Sequence, residues 1–205
     1  MMLKEQVFEM KRNHLIEKSI AIFLEKPVDD IKINELCKEI GISKKSFYTY
    51  FTSKVELYLE IDKKILIDIF IPVLSNYGNH HTGFDKLQSI ITKFKDLAFE
   101  KPRYYRVTYM NYNILKLNIN KPEFKKIKDF RLEYANLFAS PFREGINDGS
   151  IKNINGLSHF TINSGLHGIF FYMFTDGELS RNSIEKYKTE ATAYINVMLS
   201  AVKNN

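Results

Sequence analysis

The sequence predicts an all-α fold, and three observations carry that expectation. Apolar residues recur at helical spacing: Ile33, Leu36, Cys37 and Ile40 fall at i, i+3, i+4 and i+7, which lines them up on one helix face. Hydroxyl residues stand where helices begin, as Ser53 does three residues ahead of Glu56, the spacing of a capping box. No segment shows the alternation of a half-buried strand.

The first helix carries Leu15, Ile16, Ser19, Ile20 and Phe23 on its buried face. The second is the stripe from Ile33 to Ile40. Gly41 ends it in a sharp turn, where a residue without a Cβ sits comfortably. Ser43 then caps a short third helix. Phe47 and Phe51, four residues apart, share its inner face. Lys44, Lys45, Ser46, Tyr48, Thr49 and Tyr50 are left on or near the outer faces; all are donors and none is acidic. Three helices in about fifty residues, the last two joined by a tight glycine turn, form the minimal helix-turn-helix. A donor-rich front on an apolar back suits a major groove flanked by phosphates.

A long helix is expected from Ser53 into the mid-seventies, bent at Pro72. Asn76 to Gly83 is a loop by composition. The next helix runs from about Phe84 to Phe99, with Leu87, Ile90, Ile91, Phe94 and Leu97 on one face. Lys101-Pro102 and Lys121-Pro122 each open a helix, since proline is well placed in a first turn. The second of these reaches about Ile146, before a turn at Asn147 to Ser150. Residues 157–174 are apolar on nearly every side, which demands burial all round; a dimer interface supplies it more readily than one subunit does. Gly165 and Gly168 would admit a partner helix. Thr175 to Arg181 reads as a loop, and Asn182-Ser-Ile-Glu185 as a second capping-box start. The last helix shows Ile184, Tyr187, Ala191, Tyr194, Ile195, Met198 and Val202 at helical spacing.

Composition narrows the function classes. With 205 residues, 44% hydrophobic and 26% charged, the chain reads as globular, in one or two domains. Neither a signal peptide nor an apolar run approaching roughly 18 residues is visible, so a cytoplasmic protein with no membrane partner is expected. The lone Cys37 has no partner for a disulfide and reads as a small core residue. The net charge of +6 does not sit in the helix-turn-helix: residues 1–60 hold ten basic and ten acidic side chains. What favours DNA there is placement, with Lys44, Lys45 and Lys54 and no acid between Gly41 and Val55. The excess lies in residues 101–131, where nine basic residues meet Glu123 and Asp129; that stretch reads as a solvated face or as a field that attracts an anion. Neither a phosphate-binding glycine loop nor a zinc-type cysteine pair is present, and His80-His81 are adjacent loop residues poorly placed to chelate one ion. Ser164 and His167 have no acid nearby in sequence to complete a nucleophilic set. No catalytic residue, metal site or cofactor is therefore assigned.

The run Leu15-Ile16, Phe23, Ile33, Leu36, Gly41-Ile42-Ser43, Phe47-Tyr48-x-Tyr50-Phe51, Ser53-Lys54 and Leu57 resembles, without a gap, the N-terminal domain of the TetR family of bacterial transcriptional regulators. The resemblance covers roughly residues 8 to 60. It departs from the family at Lys45, often Gly; near Pro27, usually Gly; at Lys32, commonly Ser or Thr; and at Ser19, usually Ala. It implies an all-helical homodimer of about nine helices per chain, with a DNA-binding domain at residues 1–52 and a helical effector-binding and dimerisation domain at residues 53–205.

On that resemblance, Lys44, Lys45, Ser46, Thr49 and Tyr50 face DNA; Tyr48 and Lys54 are phosphate contacts; and Lys32 and Ser43 complete the DNA-binding set. The expected function is ligand-responsive repression at a palindromic operator. Alternatives are a regulator without a small-molecule effector, an activator, or a helical enzyme or interaction module that kept the head. Tyrosines on neighbouring helices suggest a cavity that is apolar with a few polar tips, suited to a mostly apolar or aromatic effector. Candidate lining residues are Phe70, Tyr105, Tyr109, Tyr112, Phe138, His167 and Phe170. Candidate dimer residues are Gly165, Gly168, Phe171, Tyr172, Tyr187, Ala191, Ile195 and Met198.

Overall fold

The computed structural model describes residues 2–111, 122–175 and 181–204. Among them are nine helices and no strand beyond a single bridge between Ile151 and Lys203. Tyr112, residues 176–180 and the side chains of Arg181, Asn182 and Ser183 lie outside what is described.

The chain groups into two compact units, Met1–Ile67 with Arg103–Phe130, and Asp68–Pro102 with Arg131–Asn205. The first contains α1 (Met2–Glu25), a 3-10 turn (Val28–Asp30), α2 (Ile33–Ile40), α3 (Lys44–Tyr50) and α4 (Lys54–Ile65). Its core is the set of apolar stripes read from the sequence: Leu15, Ile16, Phe23, Leu36, Cys37, Ile40, Phe47, Phe51 and Leu57 are buried. Ser19 is buried among them at no cost in unmet polarity, because its hydroxyl donates to the Leu15 carbonyl at 2.7 Å. Pro27 follows the end of α1 in extended backbone (φ −56°, ψ 146°), as expected of a residue that cannot continue a helix.

α4 continues beyond Ile65 through a wide i→i+5 turn, Leu66–Phe70, into Ile71–Leu74. Pro72 has no N–H to give the preceding turn, and the widened turn just ahead of it absorbs the missing bond. α6 (Pro102–Tyr105) passes into a similar wide turn, Arg106–Met110. Within the first unit, this segment docks on α1 and α4. The Tyr58 hydroxyl donates to the Val107 carbonyl at 2.9 Å, Arg103 pairs with Glu25, and Arg106 donates to the Leu24 carbonyl.

The second unit is built on α5 (Gly83–Glu100), with α7 (Pro122–Asn147) from Arg131 onward, α8 (His159–Thr175) and α9 (Arg181–Val202). The α5 stripe is buried along its length: Phe84, Leu87, Ile90, Ile91, Phe94, Leu97 and Ala98. Its N-terminus is fully capped. Thr82 accepts from the Asp85 N–H at 3.1 Å, Asp148 from the Gly83 N–H at 2.7 Å, and Ser150 from the Phe84 N–H at 3.0 Å. The Asp148 carboxyl is held below its ordinary pKa chiefly by a bond from the Ser150 hydroxyl, then by the N–H groups of Gly83 and Ser150. Gly83 crosses Gly145 so closely that a Cβ on Gly83 would lie 2.0 Å from the Gly145 backbone nitrogen.

α8 buries one face, Ile162, Leu166, Phe170 and Met173, and leaves the other open, with Phe160 72%, Phe171 52% and Tyr172 68% exposed. Of this helix, apolar on nearly every side, only one face is covered among the described residues. On α9, Ala191, Ile195, Leu199 and Val202 point into the core, while Tyr194 and Val197 are exposed.

Candidate nucleic-acid interface

The helix-turn-helix is assembled by local chemistry. Gly41 adopts φ 78°, ψ 34°, the left-handed conformation that favours glycine. Its N–H donates to the Lys38 carbonyl at 3.3 Å, and that of Ile42 to Cys37 at 2.9 Å, the paired bonds of a Schellman stop. Ser43 turns the chain into α3 and accepts from the Ser46 N–H at 3.0 Å. Beneath α3, Phe47 and Phe51 are buried with ring centroids 5.5 Å apart. Burial pushes the Cys37 thiol above its ordinary pKa, partly opposed by Lys44, so it stays a protonated core residue.

This packing aims the outer residues. Lys44, Lys45, Tyr48 and Thr49 are exposed, and Ser46 is half-buried. Tyr48 stands edge-on to Phe47 with 48% of its surface open. Lys32 is exposed at the start of α2 and pairs with Glu35 at 3.7 Å. Tyr50 is placed differently from its neighbours. Its ring meets Phe8 of α1 at 5.0 Å and lines a cleft of about 410 Å³ with Met10, Lys11, His14, Leu15, Ile42 and Ser46.

Lys54 is half-buried. Its ammonium donates to the carbonyls of Val28 at 2.5 Å and Ile31 at 2.7 Å, with the Asp29 carbonyl at 3.4 Å. It braces the 3-10 turn that feeds α2. Ser53 caps α4 by accepting from the Glu56 N–H at 3.1 Å. The Glu56 carboxylate reaches Thr52, accepting from its N–H at 2.6 Å and its hydroxyl at 2.8 Å.

Sequence reasoning missed Arg12. From α1 it donates to Glu56 at 3.1 Å and Glu60 at 2.9 Å on α4, and to the Tyr50 carbonyl at 3.3 Å at the end of α3. Its guanidinium also lies 5.0 Å over the Phe51 ring. Burial opposes the charge on Arg12, but bonds and attraction from Glu60 and then Glu56 outweigh it and raise its pKa. Burial likewise works against the Glu56 carboxylate, and the Thr52 bonds and Arg12 carry its pKa below the ordinary value. Glu56 and Glu60 at i, i+4 on one face of α4 are the signal that marks a shared cation.

The effector candidates fall in both units. In the second unit, Phe70, Phe138, His167 and Phe170 converge on Phe94, with ring centroids at 6.1, 5.7, 5.3 and 5.9 Å. Phe94, the hub, was expected only as a core residue. Burial, helped by Arg131, lowers the His167 pKa to about 4. Tyr105 and Tyr109 belong to the first unit, stacked at 4.9 Å. Among the dimer candidates, Phe171, Tyr172 and Gly168 are exposed, and Tyr187 and Met198 are partly so. Ala191 and Ile195 are buried within their own subunit. Gly165 accommodates the chain's own Tyr194, whose hydroxyl would lie 2.4 Å from a Cβ there. Among the described residues, no group of three or more His, Cys, Asp or Glu could hold a metal ion, and no helix is long and apolar enough to cross a membrane.

Comparison with known proteins bears on the head and on the whole chain. Residues 15–61 match the model of bacterial regulatory proteins of the tetR family. No curated protein sequence matches the chain. Its fold is similar to that of the ketosteroid transcriptional regulator KstR2 of Mycobacterium tuberculosis, at 18% identity over 95% of this chain and 96% of that one, with a TM-score of 0.63. It is similar also to the transcriptional regulator FadR from Bacillus subtilis in complex with stearoyl-CoA, at 18% identity, 91% and 96% coverage and a TM-score of 0.64. A bacterial regulatory protein in the tetR family from Rhodococcus RHA1 gives 15% identity, 95% and 97% coverage and a TM-score of 0.65. The family model thus covers the helix-turn-helix, residues 15–61, and the fold along nearly the whole chain is similar to those of solved transcriptional regulators.

Proposed function

We propose that the protein is a cytoplasmic, ligand-responsive repressor that binds a near-palindromic operator as a homodimer. The observation that carries the DNA half of this reading is the acid-free outer face of α3, which presents Lys44, Lys45, Tyr48 and Thr49 to solvent over the buried Phe47 and Phe51. Lys44, Lys45, Ser46 and Thr49 then read base edges, with Tyr50 at the margin of that face; Lys32, Ser43, Tyr48 and Lys54 hold the backbone. Residues 1–52 form the DNA-binding domain, with Lys54 added from the start of residues 53–205, which serve the effector and the dimer. The open face of α8, with Phe171, Tyr172 and Gly168, joins Tyr187 and Met198 of α9 against a second copy. The aromatic cluster around Phe94, with FadR held in complex with stearoyl-CoA, supports an effector that is mostly apolar or aromatic.

A second reading, a regulator with no small-molecule effector, is favoured by the four tilted and edge-on ring contacts that Phe94 already makes within the chain. Calorimetric titration of candidate ligands with and without operator decides between the two. An effector must bind less tightly to the operator complex, by the same factor by which it weakens DNA binding. Equal affinities across apolar and aromatic candidates favour the second reading. A gel shift with the protein's own upstream DNA, comparing wild type with Lys44→Ala and Lys45→Ala, tests the DNA face. Unchanged binding by both variants removes it.

A further inference from the structure

We propose that Arg12 is a positioning residue for DNA recognition: it ties the C-terminal carbonyl of α3 to Glu56 and Glu60 of α4, and so sets the attitude at which the recognition helix is presented. The inference rests on the DNA-binding reading of α3. It concerns a residue of α1 that does not belong to the DNA-facing set.

α3 has seven residues, too few to be stable alone, so its orientation comes from what grips it. Phe47 and Phe51 anchor its underside. Its last carbonyls have no partner within the helix and carry partial negative charge. Arg12 Nε takes the Tyr50 carbonyl at 3.3 Å, while Nη2 is shared between Glu60 at 2.9 Å and Glu56 at 3.1 Å. The guanidinium plane also covers Phe51, the residue just after α3. One rigid fork thus engages the end of α3 and two successive turns of α4.

A second path runs in parallel. Glu56 gives one oxygen to Arg12 and the other to the N–H and hydroxyl of Thr52, which follows Phe51. The clamp is sheltered, with the Arg12 and Glu56 side chains 14% and 15% exposed, so water competes weakly for these bonds. Arg12 directs three contacts inward, which leaves it poorly disposed to meet a phosphate. A lysine would keep the charge but not the planar fork, and could not span the same three acceptors. Displacement of α4 along or about its axis would pull on Glu56 and Glu60 together, and through Arg12 and Thr52 on both sides of the α3 terminus.

The test uses the full chain and the variants Arg12→Lys, Arg12→Gln, Glu60→Gln and the double variant. Each is titrated into a duplex from the protein's own upstream region and into a scrambled duplex, at several salt concentrations. Arg12→Gln should weaken upstream binding about tenfold, the scale set by loss of hydrogen bonds to charged groups. Scrambled-duplex affinity and the salt slope should hold, and Arg12→Lys should rescue only in part. Glu60→Gln should weaken binding in wild type but add nothing to Arg12→Gln. Without DNA, the amides of Phe47 to Phe51 should exchange faster in Arg12→Gln while α1 and α4 core amides keep their protection, a local effect that a general loss of stability would not give.

A salt slope reduced by about one would make Arg12 a direct phosphate contact and overturn the proposal. Additive losses, or unchanged α3 exchange, would also overturn it. If wild type fails to distinguish the two duplexes, the DNA-binding reading is what fails, and the exchange measurement still decides whether Arg12 holds α3.

Discussion

Lys54 offers the sharpest separation of a structural role from a DNA role, through the substitution Lys54→Met. Methionine keeps much of the aliphatic stem and removes the ammonium. That ammonium bonds the Val28 and Ile31 carbonyls at 2.5 and 2.7 Å, at the turn whose Val28 and Ile31 side chains are 1% and 3% exposed. Hydrogen bonds to a charged group contribute about 1.5–3 kcal/mol each in sheltered sites. Lys54 is only half-buried and solvent can partly replace it, so the pair together is expected to be worth about 2 kcal/mol. Urea unfolding followed by circular dichroism should show that loss as a lower midpoint with an unchanged slope. A change under about 0.5 kcal/mol, typical of a surface residue, would refute the brace. The same variant separates the DNA role: if Lys54 also meets a phosphate in the complex, its salt slope falls by about one, independently of stability.

Three further outcomes follow from the geometry. Gly83→Ala sets a Cβ 2.0 Å from the Gly145 backbone nitrogen, so α5 must move off α7; a loss of roughly 3 kcal/mol or more in thermal or urea unfolding is expected, larger than ordinary overpacking because backbone cannot yield as a side chain does. His167 is held neutral, with a pKa near 4 against an ordinary 6.5, so the unfolded chain binds the proton more readily; its stabilisation is full above pH 6.5, falls by about 2–3 kcal/mol as pH drops towards 4, and levels off below, and His167→Leu should flatten that part of the stability profile. Phe171→Asp, on the open face of α8, should leave the subunit folded but monomeric in light scattering, whereas Ile195→Asp, buried in its own subunit, should unfold it; a folded dimeric Phe171→Asp would remove α8 from the interface.

What could be read from the sequence was local. The stop at Gly41, the cap at Ser43, the Phe47 and Phe51 underside and the α5 stripe each depend on residues within one or two turns of each other, and periodicity records them. Contacts between residues far apart in the chain leave no such record. Arg12 reaches 38 to 48 residues along the chain, Lys54 bonds carbonyls more than 20 residues before it, and Gly83 meets Gly145 from another helix. Tyr50 shows the same limit: a donor on the outer side of α3 by spacing, it is drawn sideways because Phe8 of α1 offers its ring a partner. On α9, apolar spacing could not distinguish a residue buried in its own subunit, such as Ala191, from one such as Val197 that faces outward.

The most direct test of sequence-specific recognition through α3 is an anisotropy titration of the 205-residue chain, at near-physiological salt, with a fluorescent duplex from its own upstream region and a scrambled duplex of equal length. Specific recognition predicts binding about a thousandfold or more tighter to the upstream duplex, with two protomers per site and most of the preference lost in the Lys44→Ala, Lys45→Ala double variant. Equal affinities for the two duplexes, or a preference that survives loss of both lysines, would contradict it.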